Sequence, residues 1–315
     1  MSNSRVKSLI KRFGGGQDDA DGSGSALSSD EIVKTVDAEV KRISEFFQFI
    51  LKYNEQFQPS GVEFSGLRQY LVTDDASRID WKHSAGSPDL YVKQYEEEKN
   101  MDTFILLDAS ATMQTGTAEK TKSEYASVVA STIAYASVDA GLDVGIGMYG
   151  ESETIMSPQG GNSQYQKILR EVTKEDHYGG KLDLEESLNN VIGKIKEDTV
   201  VFIISDFLEI EGDWKSTVRV ASEKFRHVMG VMVRDLRDYK LPEDGALSLE
   251  SPYYDEPITV QTNSIAEEFN EKAREQEKEI EDMIEGAGAG FLKVDTRDNF
   301  SAKFASYFDE EGEKW

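Results

Sequence analysis

The chain is 315 residues long and carries 60 acidic against 35 basic side chains, a formal net charge of −25. That imbalance excludes general binding to nucleic acid or to an anionic membrane surface, both of which reward clustered Lys and Arg. The absence of cysteine excludes a disulfide framework and thiol chemistry.

Residues 1–27 read as a tail. Val6 to Phe13 is basic without a sustained apolar core, so it does not read as a signal peptide, and Gly14 to Ser25 combines Gly, Ser and Asp with almost nothing apolar. Residues 28–58 read as a helix: Ser28 is placed to cap it, Glu31 follows three residues on, and Ile32, Val36, Val40, Ile43, Phe46 and Ile50 recur at helical spacing. Residues 59–100 form a small β-rich segment, with extended pieces at Val62 to Phe64, Leu67 to Leu71 and Leu90 to Tyr95. Around Trp81 this segment is dense in charge: Arg68, Asp74, Asp75, Arg78, Asp80, Lys82 and His83. Arg78 and Asp80 are flanked by Ile79 and Trp81 and are expected to be partly buried, where charges must be paired. The segment therefore reads first as a structural ion-pair network and second as a functional surface.

Residues 101–300 alternate strands with helices. Phe104 to Leu107, Val144 to Tyr149, Thr199 to Ser205, His227 to Val233 and Phe291 to Val294 have strand composition, and Glu153 to Ser157 reads as an antiparallel edge hairpin partner. Between them, helices are expected at Ser123 to Ala140, Tyr165 to Val172, Leu184 to Ile195, Thr217 to Phe225 and Ser264 to Ile284. This alternation specifies an α/β fold with a doubly wound, mostly parallel sheet. Residues 301–315 read as an acidic C-terminal tail. No stretch approaches the roughly 20 apolar residues that span a bilayer, so a cytoplasmic location is expected.

Two of the apolar strands end in a carboxylate. The first stops at Asp108, followed by Ala109-Ser110-Ala111-Thr112, and the second ends in Asp206. At the carboxyl end of a central parallel strand such a loop turns one carboxylate and two hydroxyls toward one point. These are hard oxygen ligands of the kind that suit Mg²⁺ or Mn²⁺. His83, His177 and His227 are the only histidines, and no pair has zinc-ligand spacing.

Asp108-x-Ser110-x-Thr112 resembles the DxSxS/T signature of the metal-ion-dependent adhesion site in von Willebrand factor A domains. Upstream, Glu63-Phe64 and Leu67-Arg68-x-Tyr70, then Asp75-x-x-Arg78-Ile79-Asp80-Trp81, are similar to the segment that precedes an A-type domain in the family called domain of unknown function 58. The resemblance runs from about Gly61 to about Asp295. It implies a von Willebrand factor A-like fold and an ion held by Asp108, Ser110, Thr112 and Asp206. It also implies that a distant Thr adds a fifth oxygen, but Leu182 stands at that position. Leucine offers none. Asp183 is adjacent, and its side chain is expected to point elsewhere.

By that resemblance the protein is a non-enzymatic binding module whose partner is a MoxR-type AAA+ ATPase, engaged in assembling or remodelling other proteins. The enzymatic alternative is a haloacid-dehalogenase-like phosphatase with Asp108 as nucleophile and Asp206 holding Mg²⁺. Against it, Ser110 stands where that chemistry needs a second carboxylate. A scaffold with a decayed ion site is the third reading, consistent with Leu182.

Overall fold

The structure, a computed structural model, describes residues 63–71, 79–86, 88–96, 101–241, 245–251 and 253–311. The tail at 1–27, the helix at 28–58, and Asp74, Asp75 and Arg78 lie outside the described residues. Two compact units are present, the smaller within Gln48–Asn100 and the larger holding every described residue from Met101 onward.

In the smaller unit, β1 (Glu63–Gln69) pairs antiparallel with β2 (Tyr91–Glu96), and the register shifts between Phe64 and Gly66. A single bulged strand thus replaces the two pieces expected between Val62 and Leu71. The short helix α1 (Trp81–Ser84) is capped by Asp80, whose Oδ1 accepts from the amides of Lys82 and His83 at 3.0 and 3.2 Å. The other oxygen, Oδ2, meets His83 Nδ1 at 3.0 Å. The Tyr91 amide donates to Ser84 Oγ at 2.9 Å, so the helix is laced to β2. Asp80 is buried and fully engaged in holding the turn, which is the structural role expected of it.

In the larger unit, β3 (Asp102–Ala109), β4 (Asp143–Gly150), β5 (Thr154–Gln159), β6 (Thr199–Ser205), β7 (His227–Arg234) and β10 (Gly290–Asp295) form one sheet, in the order β10-β7-β6-β3-β4-β5. All its pairs are parallel except β4 with β5. Every residue of β3 and β6 is buried, as expected of central strands covered on both faces. Side chains alternate along each strand. One set, including Phe104, Leu106, Val201 and Ile203, packs with α4 (Leu184–Lys194), α5 (Trp214–Lys224) and α7 (Thr262–Gly286) through Leu188, Val191, Ala221 and Ile284. The other face is covered by α2 (Lys122–Asp139), α3 (Asn162–Val172) and α8 (Phe300–Glu311).

The helix α2 begins with a capping box between Thr121 and Glu124 and is rich in Ala and Ser, whose small side chains let it lie close to β3 and β4. Two of its buried hydroxyls are satisfied within the helix, Thr132 and Ser137 donating to the carbonyls of Val128 and Ile133 at 2.7 and 2.8 Å, whereas the buried Ser131 hydroxyl has no partner among the described residues.

Two features depart from expectation. Residues 300–311 are the helix α8 and not part of an acidic tail: Phe300 and Phe304 are 2 % and 1 % exposed, and the Phe304 ring centroid lies 6.3 Å from that of Phe202. Net acidity had masked an apolar pair at helical spacing. Second, β8 (Ala246–Ser251) and β9 (Tyr254–Gln261) form an antiparallel hairpin after the short helix α6 (Leu236–Tyr239), in a stretch where no element was expected.

Candidate adhesion-type site at the ends of the central strands

Parallel pairing of β3 with β6 matches Leu107 to Ile204, so both strands deliver their terminal carboxylates to the same end of the sheet. Asp108 Oδ1 accepts from the Ser110 amide at 2.8 Å, and Oδ2 accepts from Ser205 Oγ at 2.6 Å. Ser110 precedes a 3-10 turn, Ala111–Gln114, which folds Thr112 back over the strand end. The Ser110 and Thr112 hydroxyls are 3.0 Å apart, and Thr112 Oγ1 donates to Asp206 Oδ1 at 3.3 Å. The four residues singled out from the sequence therefore converge.

The turn that aims Asp206 is strained. Phe207 and Glu209 have φ of 52° and 48°, left-handed values that cost a non-glycine residue roughly 1–2 kcal/mol. Burial holds the conformation: Phe207 is 4 % exposed and its ring lies 5.9 Å from that of Trp214. The Phe207 and Leu208 amides donate to Ser205 Oγ and Asp206 Oδ1, both at 2.9 Å.

Three groups that sequence reasoning missed complete the site. Lys122 is 1 % exposed, and its Nζ donates to Asp206 Oδ2 at 2.7 Å and to Asp238 Oδ1 at 3.1 Å. It is the first residue of α2, where the helix dipole disfavours a cation. A lysine at the opening of an Ala/Ser helix was the available signal that carboxylates wait nearby. Asp238 belongs to α6, whose capping residue Asp235 also ties down the loop before α2 by accepting from the Thr117 amide and hydroxyl at 3.0 and 2.7 Å. Tyr253, in the β8–β9 turn, hydrogen-bonds to Ser110 and Thr112, and Lys181 Nζ lies 5.2 Å from its ring centroid.

Electrostatics follow from burial. Asp108 is pushed up from the usual 3.8 to about 6, first by desolvation and then by the charge of Asp206. Burial also raises Asp238, and it outweighs the pull of Lys122. On Lys122 itself, burial favours the neutral amine, but Asp206 and Asp238 together hold it above the usual lysine value. The ammonium is the form present at neutral pH.

In kind, these oxygens suit a hard cation. In charge and number the arrangement does not fit a divalent one. An ammonium already neutralises Asp206, the two hydroxyls are bonded to each other, and that of Thr112 also to Asp206. At the fifth position, Leu182 is 2 % exposed and belongs to the apolar core with Leu184 and Phe207. Asp183 points away, as expected, capping α4 by accepting from the Glu186 amide at 2.9 Å. Among the described residues no three His, Cys, Asp or Glu side chains are grouped so as to hold a metal ion. His177 is occupied by Glu171 and Ser152 at 2.9 and 2.8 Å, which accounts for one of the three histidines.

A mostly parallel six-stranded sheet flanked by helices, with a DxSxT loop and a second aspartate at the carboxyl ends of its central strands, is the architecture of a von Willebrand factor A-like domain. The chain belongs to the family described as Protein of unknown function DUF58, whose model matches residues 66–279. Uncharacterized proteins of Mycobacterium bovis and Mycobacterium tuberculosis are 26 % identical to it over 243 residues, 75 % of this chain and 75 % of each relative. Among solved structures it is similar to an aerotolerance-related membrane protein from Bacteroides fragilis, at 14 % identity and a TM-score of 0.44 over 69 % of this chain and 100 % of the other. A von Willebrand factor type A structure from Catenulispora acidiphila matches at 13 % identity and a TM-score of 0.34 over 55 % and 42 % of the two chains. No helix among the described residues is long and apolar enough to cross a membrane.

Proposed function

We propose that this protein is a non-enzymatic binding module that acts in the cytoplasm with a MoxR-type AAA+ ATPase in assembling or remodelling protein complexes. Its contact point is the cluster of Asp108, Ser110, Thr112 and Asp206, a degenerate form of the ion-dependent adhesion site. The observation that carries this reading is the convergence of two carboxylates and two hydroxyls from separate strand ends at one end of the sheet. Open α/β sheets bind their ligands at that end. The choice of partner class follows from what the sequence resemblance implies.

The test is direct binding between the purified full chain and the MoxR-type ATPase of its own genome, measured by calorimetry. The wild type is expected to form a complex that Ser110→Ala and Thr112→Ala each weaken about tenfold, the loss of one or two hydrogen bonds, with circular dichroism unchanged. Absence of a complex, or a complex indifferent to both substitutions, overturns the reading. Phosphatase turnover that Asp108→Asn abolishes would favour the enzymatic alternative instead.

A further inference from the structure

We propose that Lys122 is the resident cation of this site: its ammonium holds the place at Asp206 that a divalent ion holds in an ion-dependent adhesion site, so the cluster works without metal. The inference rests on reading the four-residue cluster as the docking point, and adds to it what supplies the positive charge.

Three observations carry it. The Lys122 side chain is 1 % exposed and its Nζ sits 2.7 Å from Asp206 Oδ2, within ion-pair distance and with almost no water to screen it. Asp238 at 3.1 Å completes the ammonium's surroundings, so two elements far apart in the chain, α2 and α6, are spent on holding one charge beside the cluster. Second, the hydroxyls are arranged as a hydrogen-bond chain: Ser110 meets Thr112 at 3.0 Å and Thr112 Oγ1 donates to Asp206 Oδ1 at 3.3 Å. A metal would need those oxygens to turn their lone pairs inward together. Third, the loop that would bring a fifth oxygen delivers Leu182 to the core, and its backbone is pinned there because the Glu211 amide donates to the Leu182 carbonyl at 3.1 Å. Charge, hydroxyl orientation and ligand number all point the same way.

A bound divalent ion at Asp206 would face the buried ammonium with little solvent between like charges. Removing the ammonium should therefore create a metal site where the wild type has none. The experiment titrates Mn²⁺, followed by its electron paramagnetic resonance signal, into the EDTA-stripped full chain, for wild type, Lys122→Met and Lys122→Arg. Wild type and Lys122→Arg are expected to show no saturable binding at millimolar Mn²⁺, whereas Lys122→Met binds at least tenfold more tightly than either. Equal affinity in wild type and Lys122→Met overturns the inference, as does absence of binding in a folded Lys122→Met, because Lys122 would then not be what keeps the ion out. The wild-type titration does not depend on any variant's folding: saturable Mn²⁺ binding that Asp206→Asn removes is by itself a refutation. Capture of the ATPase separates the two readings. Complex formation that needs added Mg²⁺ and is lost in EDTA sinks the resident cation and leaves the docking point standing. Binding undisturbed by EDTA supports both, and a Mn²⁺ pattern as expected with no complex at all sinks only the docking point.

Discussion

Asp108 offers the sharpest test of the site's electrostatics. Its carboxyl is fully buried, beside Asp206, and is raised from the usual 3.8 to about 6. A group whose folded value lies above its unfolded one binds its proton more tightly in the folded state, so its contribution to stability is complete below about pH 4 and is lost as pH rises through about 6. At about 1.4 kcal/mol for each tenfold change in the proton equilibrium, that rise means that ionised Asp108 costs the fold about 3 kcal/mol. Asp108→Asn removes the charge and keeps the shape. The amide oxygen still accepts from the Ser110 amide, now 2.8 Å from Oδ1, and the NH₂ group donates to Ser205 Oγ, now 2.6 Å from Oδ2. Urea denaturation of both proteins in EDTA, at about pH 4 and about pH 8, reads this group together with its coupling to Asp206, because carboxylates remote from the site cancel in the difference. The two should be equally stable at the lower pH, and the variant more stable by up to about 3 kcal/mol at the higher. A variant that is less stable at about pH 8, or a difference that does not change with pH, refutes the reasoning.

Lys122→Met should lower stability at neutral pH by about 3–5 kcal/mol in urea denaturation, since it leaves Asp206 and Asp238 buried with no counter-charge; a loss under about 1 kcal/mol would mean the pair is not buried as described. Phe304→Ala should cost about 3–5 kcal/mol by removing the ring that packs on Phe202, and hydrogen exchange should show α8 opening ahead of the sheet. Tyr253→Phe deletes only the hydroxyl that meets Ser110 and Thr112 and should cost about 1 kcal/mol in thermal denaturation. No loss at all would show that the hairpin turn does not close over the site.

Most of the sheet was legible because buried strands announce themselves. Phe104 to Leu107 and Thr199 to Ser205 are uninterrupted apolar runs too short for helices, and they proved to be the two central strands, buried at every residue. The helices α4 and α5 showed their apolar spacing just as openly. The misses have a common physical form. In α8 the apolar residues Phe300 and Phe304 are followed by the acidic run Asp309 to Glu311, so the composition of the chain's last residues spoke for a tail while the spacing of the two rings spoke for a helix. For β8 and β9, pairing in a hairpin of their own was decided by contacts that no short window of sequence contains.

The site divides along the same line, and the division explains its chemistry. Asp108, Ser110, Thr112 and Asp206 are set by strand ends, so strand recognition alone places them together. Lys122 reaches Asp206 across 84 positions and Asp238 across 116, and only the folded topology brings them within ion-pair distance. From the four legible residues the site reads as two carboxylates lacking a counter-ion, and a divalent metal is the natural completion. With Lys122 included, Asp206 already has its positive charge. Leu182 then ceases to be a defect in a metal shell. Once an ammonium supplies the charge, no fifth oxygen is required at that loop, and the position is free to contribute 2 %-exposed apolar surface to the core beneath the site.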